Sequence, residues 1–509
     1  MTIRAINSIF LMIILIFFII LQSSYIVYSF PSGFSSDPYR SQLPQLWLTI
    51  SAQTRTIEIS WINARLAMGD KIFITNAEPK EFQKVRISDY PDLSNGFEFN
   101  ISYNSENDTS TSLSNNNNNS NSNDDNDDGS GSNNDSSYGI IPIIFDNNKN
   151  NKNEKWECNK GKIDILEIIN PFEPSQWIRT SLKFDYNSSE NITKFTKCYG
   201  YWASYVNKEG EIISTGCIKA YPMWMNEMRT AIGQFRIRDL FIPGSHDSGA
   251  YRKNFKPSKR ETIVTKYALT QDDDIRGQLM HGIRYLDIRV GYYKNTPEQF
   301  FVNHGITKQR PLNEVLSQIR EFILETNEII IVDVQEFPVG FGKDLTIHRK
   351  LVQYMYAFLK DLLISPQISW QATLSEIWGR KQNIFLSYDH LGVVSEFSNI
   401  LFPACEQRWG NVKKWSDLEN YLRRVNTFDM WRLSSRPVSD MAELTPEAWG
   451  VITDKYGGLR KMADQVNWRV SRLYREDLGQ TANIVSVDFY RGTTIVDLAI
   501  YFNYKKVIL

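Results

Sequence analysis

Asp239-Leu240-Phe241-Ile242-Pro243-Gly244-Ser245-His246-Asp247-Ser248-Gly249 sets the reading of this chain. Leu240 to Ile242 is a short apolar run with the character of a buried strand, and Pro243-Gly244 is the dipeptide expected to break it. A His-Asp pair follows at once, so a strand end would fix the origin of His246 and a tight turn would aim it into a cleft. The sequence has only five histidines, so each can be weighed in turn. On this stretch alone two readings stand level: a catalytic imidazole, or a turn histidine satisfied by Ser245 or Asp247.

Working outward, apolar runs alternate with helical segments after Pro222. Ile283 to Val290, Ile329 to Val334, Asn383 to Tyr388 and Ala482 to Phe489 read as strands, while Leu312 to Thr326 and Asp344 to Leu363 have helical spacing. Alternation of this kind predicts a largely parallel sheet, and residues 221–509 are long enough for a β/α (TIM-like) barrel. In such a barrel the polar residues at the carboxyl ends of strands face the active site. Upstream, from about Leu43 to Ala220, short β-branched runs such as Leu46 to Ile50, Thr56 to Ile62, Lys71 to Thr75, Thr196 to Trp202 and Ile212 to Ile218 predict antiparallel sheets. The expected fold class is α/β: a barrel over 221–509 preceded by an all-β, sandwich-like domain over 30–220. From about 104 to 153 Asn, Asp, Ser and Gly dominate, too few apolar side chains to offset ordering entropy, which predicts a disordered insertion with one strand-like interruption at Ile140 to Ile144.

Residues 1–29 contain Arg4 and the apolar run Ile9 to Leu21, which suits a signal peptide; a retained signal anchor is the alternative. The expected location is the secretory lumen or outside the cell, or membrane-anchored if the leader stays. Asn100, Asn107, Asn118, Asn134, Asn187 and Asn191 each meet the Asn-X-Ser/Thr rule for glycosylation. Among Cys158, Cys198, Cys217 and Cys405, one disulfide within the first three fits an oxidising compartment, though spacing does not reveal the pair. A formal net charge of −1 argues against a general nucleic-acid binder, and no Cys/His cluster suggests zinc.

Taken together, the blocks Ile242 to Ser248, Gln271, Gln278 to Arg289 and Asn303-His304-Gly305 resemble the X-domain of phosphatidylinositol-specific phospholipase C. The resemblance is to the metal-independent bacterial enzymes and the eukaryotic X-domain-only proteins, and it runs from about Trp224 to the C terminus. It implies a two-histidine phosphodiester cleavage. His246 would be the general base taking the proton of the inositol 2-hydroxyl, and His304 the general acid protonating the departing glycerol oxygen. An imidazole pKa of about 6.5 suits both tasks. Calcium-dependent relatives carry a metal-binding carboxylate where this chain has Arg289, so the resemblance implies no cofactor and no calcium requirement. Alternation along Asp287-Ile288-Arg289 puts Asp287 and Arg289 on one side of a strand, where the guanidinium could stabilise phosphoryl oxygens by paired hydrogen bonds or the two could form a plain salt bridge. Asp247 would support the acid/arginine side, and Asp488 would hold the base histidine by a hydrogen bond.

Glu336 falls near a substrate-contacting position of the family, with an ordinary turn role equally open. The family's inositol-binding residues do not align cleanly, and Tyr388, Arg408 and Trp409 are the candidate substitutes. Of the remaining histidines, His281 and His348 read as background and His390 as the one that could line the cleft. Trp409, Trp415, Trp431 and Trp449 are open to two fates, interfacial rings at a membrane or core packing. The expected partner is a phospholipid at a membrane surface, with lipid-anchored glycans as a further substrate class. Two alternatives stand beside this: a non-catalytic secreted glycoprotein using the barrel as scaffold, and a metal-dependent glycerophosphodiester phosphodiesterase.

Overall fold

A computed structural model describes residues 43–86, 154–184, 195–252, 261–427 and 434–508. The expected leader, the whole Asn-rich stretch 104–153 with segment 140–144, Trp431 and all six glycosylation acceptors (Asn100, Asn107, Asn118, Asn134, Asn187 and Asn191) lie outside the described residues. The chain divides into Met1–Gln83 with Glu157–Leu509 as one unit and Lys84–Trp156 as another. In the smaller unit Lys84 Nζ sits 5.2 Å over the Trp156 ring.

Among the described residues nine strands precede the barrel: β1 (Gln45–Ile50), β2 (Thr56–Ile62), β3 (Lys71–Thr75), β4 (Phe82–Arg86), β5 (Glu154–Cys158), β6 (Ile165–Ile169), β7 (Gln176–Lys183), β8 (Lys197–Val206) and β9 (Ile212–Ala220). They form antiparallel sheets in the orders β1-β2-β7 and β6-β3-β8-β9, with β4 paired to β5. Period-two alternation explains the layering: Ile57, Ile59 and Trp61 of β2 share one buried core with Ile72, Ile74, Ala203 and Tyr205 of the second sheet. Cys198 of β8 is disulfide-bonded to Cys217 of β9, and Cys158 is a free, buried thiol.

The second architecture begins at β10 (Ile242–Ser245) and continues through β11 (Tyr285–Tyr292), β12 (Phe300–His304), β13 (Thr307–Pro311), β14 (Ile330–Glu336), β15 (Ile384–Tyr388), β16 (Phe402–Pro403), β17 (Glu406–Trp409), β18 (Val438–Met441) and β19 (Ile484–Val487). Eight of these run parallel in the path β16-β15-β14-β11-β10-β19-β18-β17. The first strand therefore lies beside the last, and neighbours around the ring follow sequence order. This is a β/α barrel with its seam between β16 and β17. Helices Leu312–Thr326, Thr346–Leu359, Trp415–Val425, Leu459–Leu473 and Ile495–Ile508 surround it and close a large apolar core. The antiparallel pair β12–β13 extends the far end of β11.

One local expectation fails. Pro243-Gly244 does not end a strand but forms the middle of β10. Gly244 is needed for space: a Cβ there would lie 2.6 Å from Ser486 Oγ and 2.9 Å from Tyr285 Cδ1 on the two neighbouring strands. Pro243 still accepts from Arg284 N at 2.9 Å, so only a donor is lost. The turn comes three residues later, at Asp247, whose φ of +38° lies in the left-handed region.

Candidate active site

Parallel strands bring every strand-to-helix connection to one rim, so side chains far apart in sequence meet there. His246 and Asp247 follow β10, Asp287 and Arg289 lie on β11, His304 ends β12, Glu336 ends β14, and Asp488 follows β19. His246 Nδ1 is 2.7 Å from Asp488 Oδ1, and its Nε2 is 2.9 Å from Arg289 Nη2. Because a guanidinium only donates, Nε2 must present its lone pair and Nδ1–H must donate to Asp488. Arg289 is held from three further sides. Nη2 donates to Asp287 Oδ2 at 3.2 Å, Nη1 is 3.5 Å from Glu336 Oε1, and Nε is 3.7 Å from Asp247 Oδ2. His304 Nε2 lies 3.9 Å from that same Asp247 oxygen, so the two histidines converge across one aspartate and one arginine.

The turn itself is braced. Asp247 N donates to Asp287 Oδ2 at 2.9 Å, and Gln271 Nε2 donates to both His246 O and Val487 O at 2.9 Å. Gln278, the other amide of the motif, accepts from Ser245 Oγ and donates to Ser248 O, so it holds backbone and does not face a ligand.

The electrostatics are those of a site awaiting an anion and hydroxyl donors. Burial works against a charged His246 ring, but Asp488 and Glu443 outweigh it and hold its proton above the ordinary imidazole range. The Arg289 contact nevertheless requires a free lone pair on Nε2. Glu443 accounts for part of the difference: burial pushes its carboxyl up to about 7, and once it carries a proton its share of the pull on the ring is gone, while the larger pull of Asp488 remains. His304 is pressed down to about 3 by burial, Arg289 and His246. Burial lifts Asp247 to about 7 against Arg289, while at Asp287 burial is outweighed by Arg289, His246 and the Asp247 N–H together, which hold that carboxyl low. Both carboxylate oxygens of Asp247 and of Glu443, with Arg289 Nε, are buried without a hydrogen-bond partner.

Glu443 escaped sequence reading. It follows β18, whose four residues Val-Ser-Asp-Met carry no strand-like apolar run. Two candidates are corrected. Tyr388 is 1% exposed, its hydroxyl bonds His348 Nδ1 at 2.7 Å, and its ring packs on Phe337, so it belongs to the helix layer. Arg408 is also turned outward: Nη1 donates to Val425 O at 2.5 Å, and its register partner Asp440 bonds Tyr474 and Asn426. Trp409 remains half exposed with Nε1 donating to Thr445 Oγ1, and shows no contact with the histidine cluster. His390 caps helix Leu391–Glu396 by accepting from Val393 N, and does not enter the cleft. His281 and His348 are buried and hydrogen-bonded, as background histidines should be. Among the described residues no group of three or more His, Cys, Asp or Glu side chains is placed to hold a metal ion.

No protein-family profile matches the chain. The chain is similar to proteins named for the PI-PLC X domain. It is 26% identical over 314 residues to PI-PLC X domain-containing protein 1 of Homo sapiens, covering 57% of this chain and 94% of that one. It is 24% identical over 310 residues to PI-PLC X domain-containing protein 3 of Mus musculus, with 55% and 93% covered. A variant-surface-glycoprotein phospholipase C of Trypanosoma brucei brucei is 24% identical over 241 residues, with 42% and 66% covered. Among solved structures, a phosphatidylinositol-specific phospholipase C of Staphylococcus aureus superposes with a TM-score of 0.41 at 15% identity, over 54% of this chain and 97% of its own. The enzyme from Listeria monocytogenes gives 0.40 at 18% identity, over 55% and 98%.

Proposed function

We propose that this chain, a relative of the X-domain phospholipase C proteins, cleaves the phosphodiester of phosphatidylinositol-type lipids without a metal. The observation that carries the reading is the arrangement Asp488–His246–Arg289 facing His304 across Asp247. In this mechanism the inositol 2-hydroxyl gives its proton to His246 Nε2 and attacks the adjacent phosphorus. The bond from phosphorus to the glycerol oxygen breaks, and that oxygen takes a proton from His304. Diacylglycerol and a cyclic inositol phosphate result. Asp488 fixes the tautomer of His246 and stabilises the imidazolium as it forms. Arg289 leaves Nε2 for the incoming phosphoryl oxygens, which frees the lone pair as substrate arrives. The anionic phosphodiester also supplies the counter-charge that lets His304 regain a proton against burial, Arg289 and His246. The unpartnered oxygens of Asp247 and Glu443 are acceptors suited to a polyol head group. The test is turnover of phosphatidylinositol micelles by purified protein with chelator present.

The sign of the pH dependence follows from His246. A base must be unprotonated, and the carboxylates around it raise its proton affinity, so kcat/KM should rise with pH along a limb centred above the ordinary 6.5. Glu443→Gln removes one of those charges and should move that limb to lower pH; a limb that stays in place would count against Glu443 as its source.

A lipid surface is the proposed setting. Helix Ala448–Ile452 follows β18 and helix Ile263–Ala268 follows β10, so both sit at the rim. Lys266 Nζ to Asp454 at 2.5 Å and Tyr267 to Asp454 at 3.1 Å tie their segments together. Trp449 is 70% exposed, with Val264 and Ile452 at 64%. Trp415, by contrast, packs against the core. Trp449→Ala with Ile452→Ser should lower partition onto phosphatidylinositol vesicles by about tenfold or more, at about 25 cal/mol per Å² of apolar surface, while turnover of a soluble substrate is kept. Equal loss on both substrates would refute the docking role. We place the protein in the secretory lumen or outside the cell, a reading the Cys198–Cys217 disulfide supports.

A further inference from the structure

The sandwich reaches the barrel at the two segments that carry the candidate catalytic dyad. On one segment, Gln271 braces the His246 turn, and the next two residues, Asp272 and Asp273, point the other way. Arg55, in the turn between β1 and β2, donates to Asp272 Oδ2 at 2.6 Å, and Arg460 donates to the second oxygen at 2.5 Å. On the other segment, Asp488 binds His246, and Tyr490 and Arg491 follow it. Tyr490 OH donates to Asp273 Oδ2 at 2.5 Å and Arg491 Nη1 to the same oxygen at 3.1 Å. Arg491 Nη2 then donates to the hydroxyl of Tyr199 on β8 at 2.5 Å, and that hydroxyl also meets His281 Nε2 at 2.8 Å. The guanidinium of Arg491 lies 5.2 Å above the Phe184 ring of the sandwich. Between the segments, Phe489 N donates to Thr270 O at 2.7 Å, and Phe489 itself has φ +47°, a strained conformation for an aromatic residue.

We propose that the β-sandwich is a positioning element of the active site: through Arg55 and Tyr199 it clamps the Gln271–Asp273 and Asp488–Arg491 segments and so keeps Asp488 on Nδ1 of His246. The proposal rests on the assignment of His246 and Asp488 to catalysis. It gives the sandwich a task no lone barrel would need. A strained segment such as Asp488–Phe489 persists only where its surroundings over-determine it, and here part of those surroundings is Tyr199. Strand β8 is in turn fixed next to that residue by the Cys198–Cys217 bond.

The test uses the full chain carrying Tyr199→Phe, Arg55→Gln, or both, with Ile74→Val as a control that loosens the sandwich core while leaving the Arg55 and Tyr199 contacts in place. Two readouts are followed well below the melting temperature: kcat and KM on phosphatidylinositol micelles, and the downfield proton resonance of the His246 Nδ1–H, assigned by its loss in His246→Ala. The clamp variants should lose about tenfold or more in kcat at nearly constant KM, since small displacements of catalytic groups cost that much. Their Nδ1 proton should move upfield or broaden, while Ile74→Val leaves kcat and resonance unchanged. An unmoved resonance in the double variant overturns the proposal whatever the activity, as does an Ile74→Val effect matching it. Failure of the wild-type chain to turn over phosphatidylinositol would strike the phosphodiesterase reading alone, and the resonance would still decide the clamp.

Discussion

Replacing His304 with alanine is expected to cost about 10²–10⁴ in turnover of phosphatidylinositol yet leave an aryl inositol phosphodiester nearly untouched, whereas His246→Ala should lose that much on both. The asymmetry follows from what each ring does. A glycerol alkoxide is a poor leaving group and needs the proton of His304; a phenolate of low pKa departs without one. The attacking 2-hydroxyl needs a base on either substrate, and His246 is the ring whose Nδ1 is committed to Asp488 at 2.7 Å, leaving Nε2 to act. Steady-state kinetics on the two substrates separates the roles. Rescue of His246→Ala by the aryl substrate would invert the assignment, and normal turnover by both alanine variants would leave the barrel a scaffold.

What the sequence made legible here was parity and strand ends. Asp287 and Arg289 lie two apart on β11 and do share a face, and the His-Asp pair after β10 does sit at the rim. The same rule explains the failures. Ser387 points inward to Asp333 at 2.6 Å, so Tyr388 beside it must point out; Gln407 reaches Tyr285 inside at 3.2 Å, so Arg408 must too. Alternation was available in the sequence at both places, but the inward phase of β15 and β17 was not, because no neighbouring strand fixed it. Other features lay beyond local pattern. Gly244 looks like a turn residue until Ser486 and Tyr285 are brought against it from distant strands. The Tyr199–Arg491 contact joins residues 292 apart. Glu443 depends on a strand too polar and too short to announce itself.

Arg289→Gln should reduce kcat by about 10²–10³ with little change in KM, the range expected when a preorganised donor to a developing oxyanion is removed. Arg289 is 12% exposed and is oriented before substrate arrives by Asp287 at 3.2 Å, Glu336 at 3.5 Å and Asp247 at 3.7 Å. Three carboxylates around one guanidinium would be a poor anion site if each neutralised it fully. Burial limits that: Asp247 is lifted to about 7, so near neutrality it is partly protonated and draws less on the guanidinium, whose Nε–H has no hydrogen-bond partner and is left to donate to a phosphoryl oxygen. Arg289→Lys should recover only part of the loss, because an ammonium keeps the charge but cannot span two oxygens with a planar fork. The wild-type chain should keep its rate in excess chelator. A glutamine variant within about threefold of wild-type kcat, well short of the usual loss for such a donor, would remove Arg289 from the transition state. A wild-type rate abolished by chelator and restored by calcium would instead hand its electrostatic role to a metal.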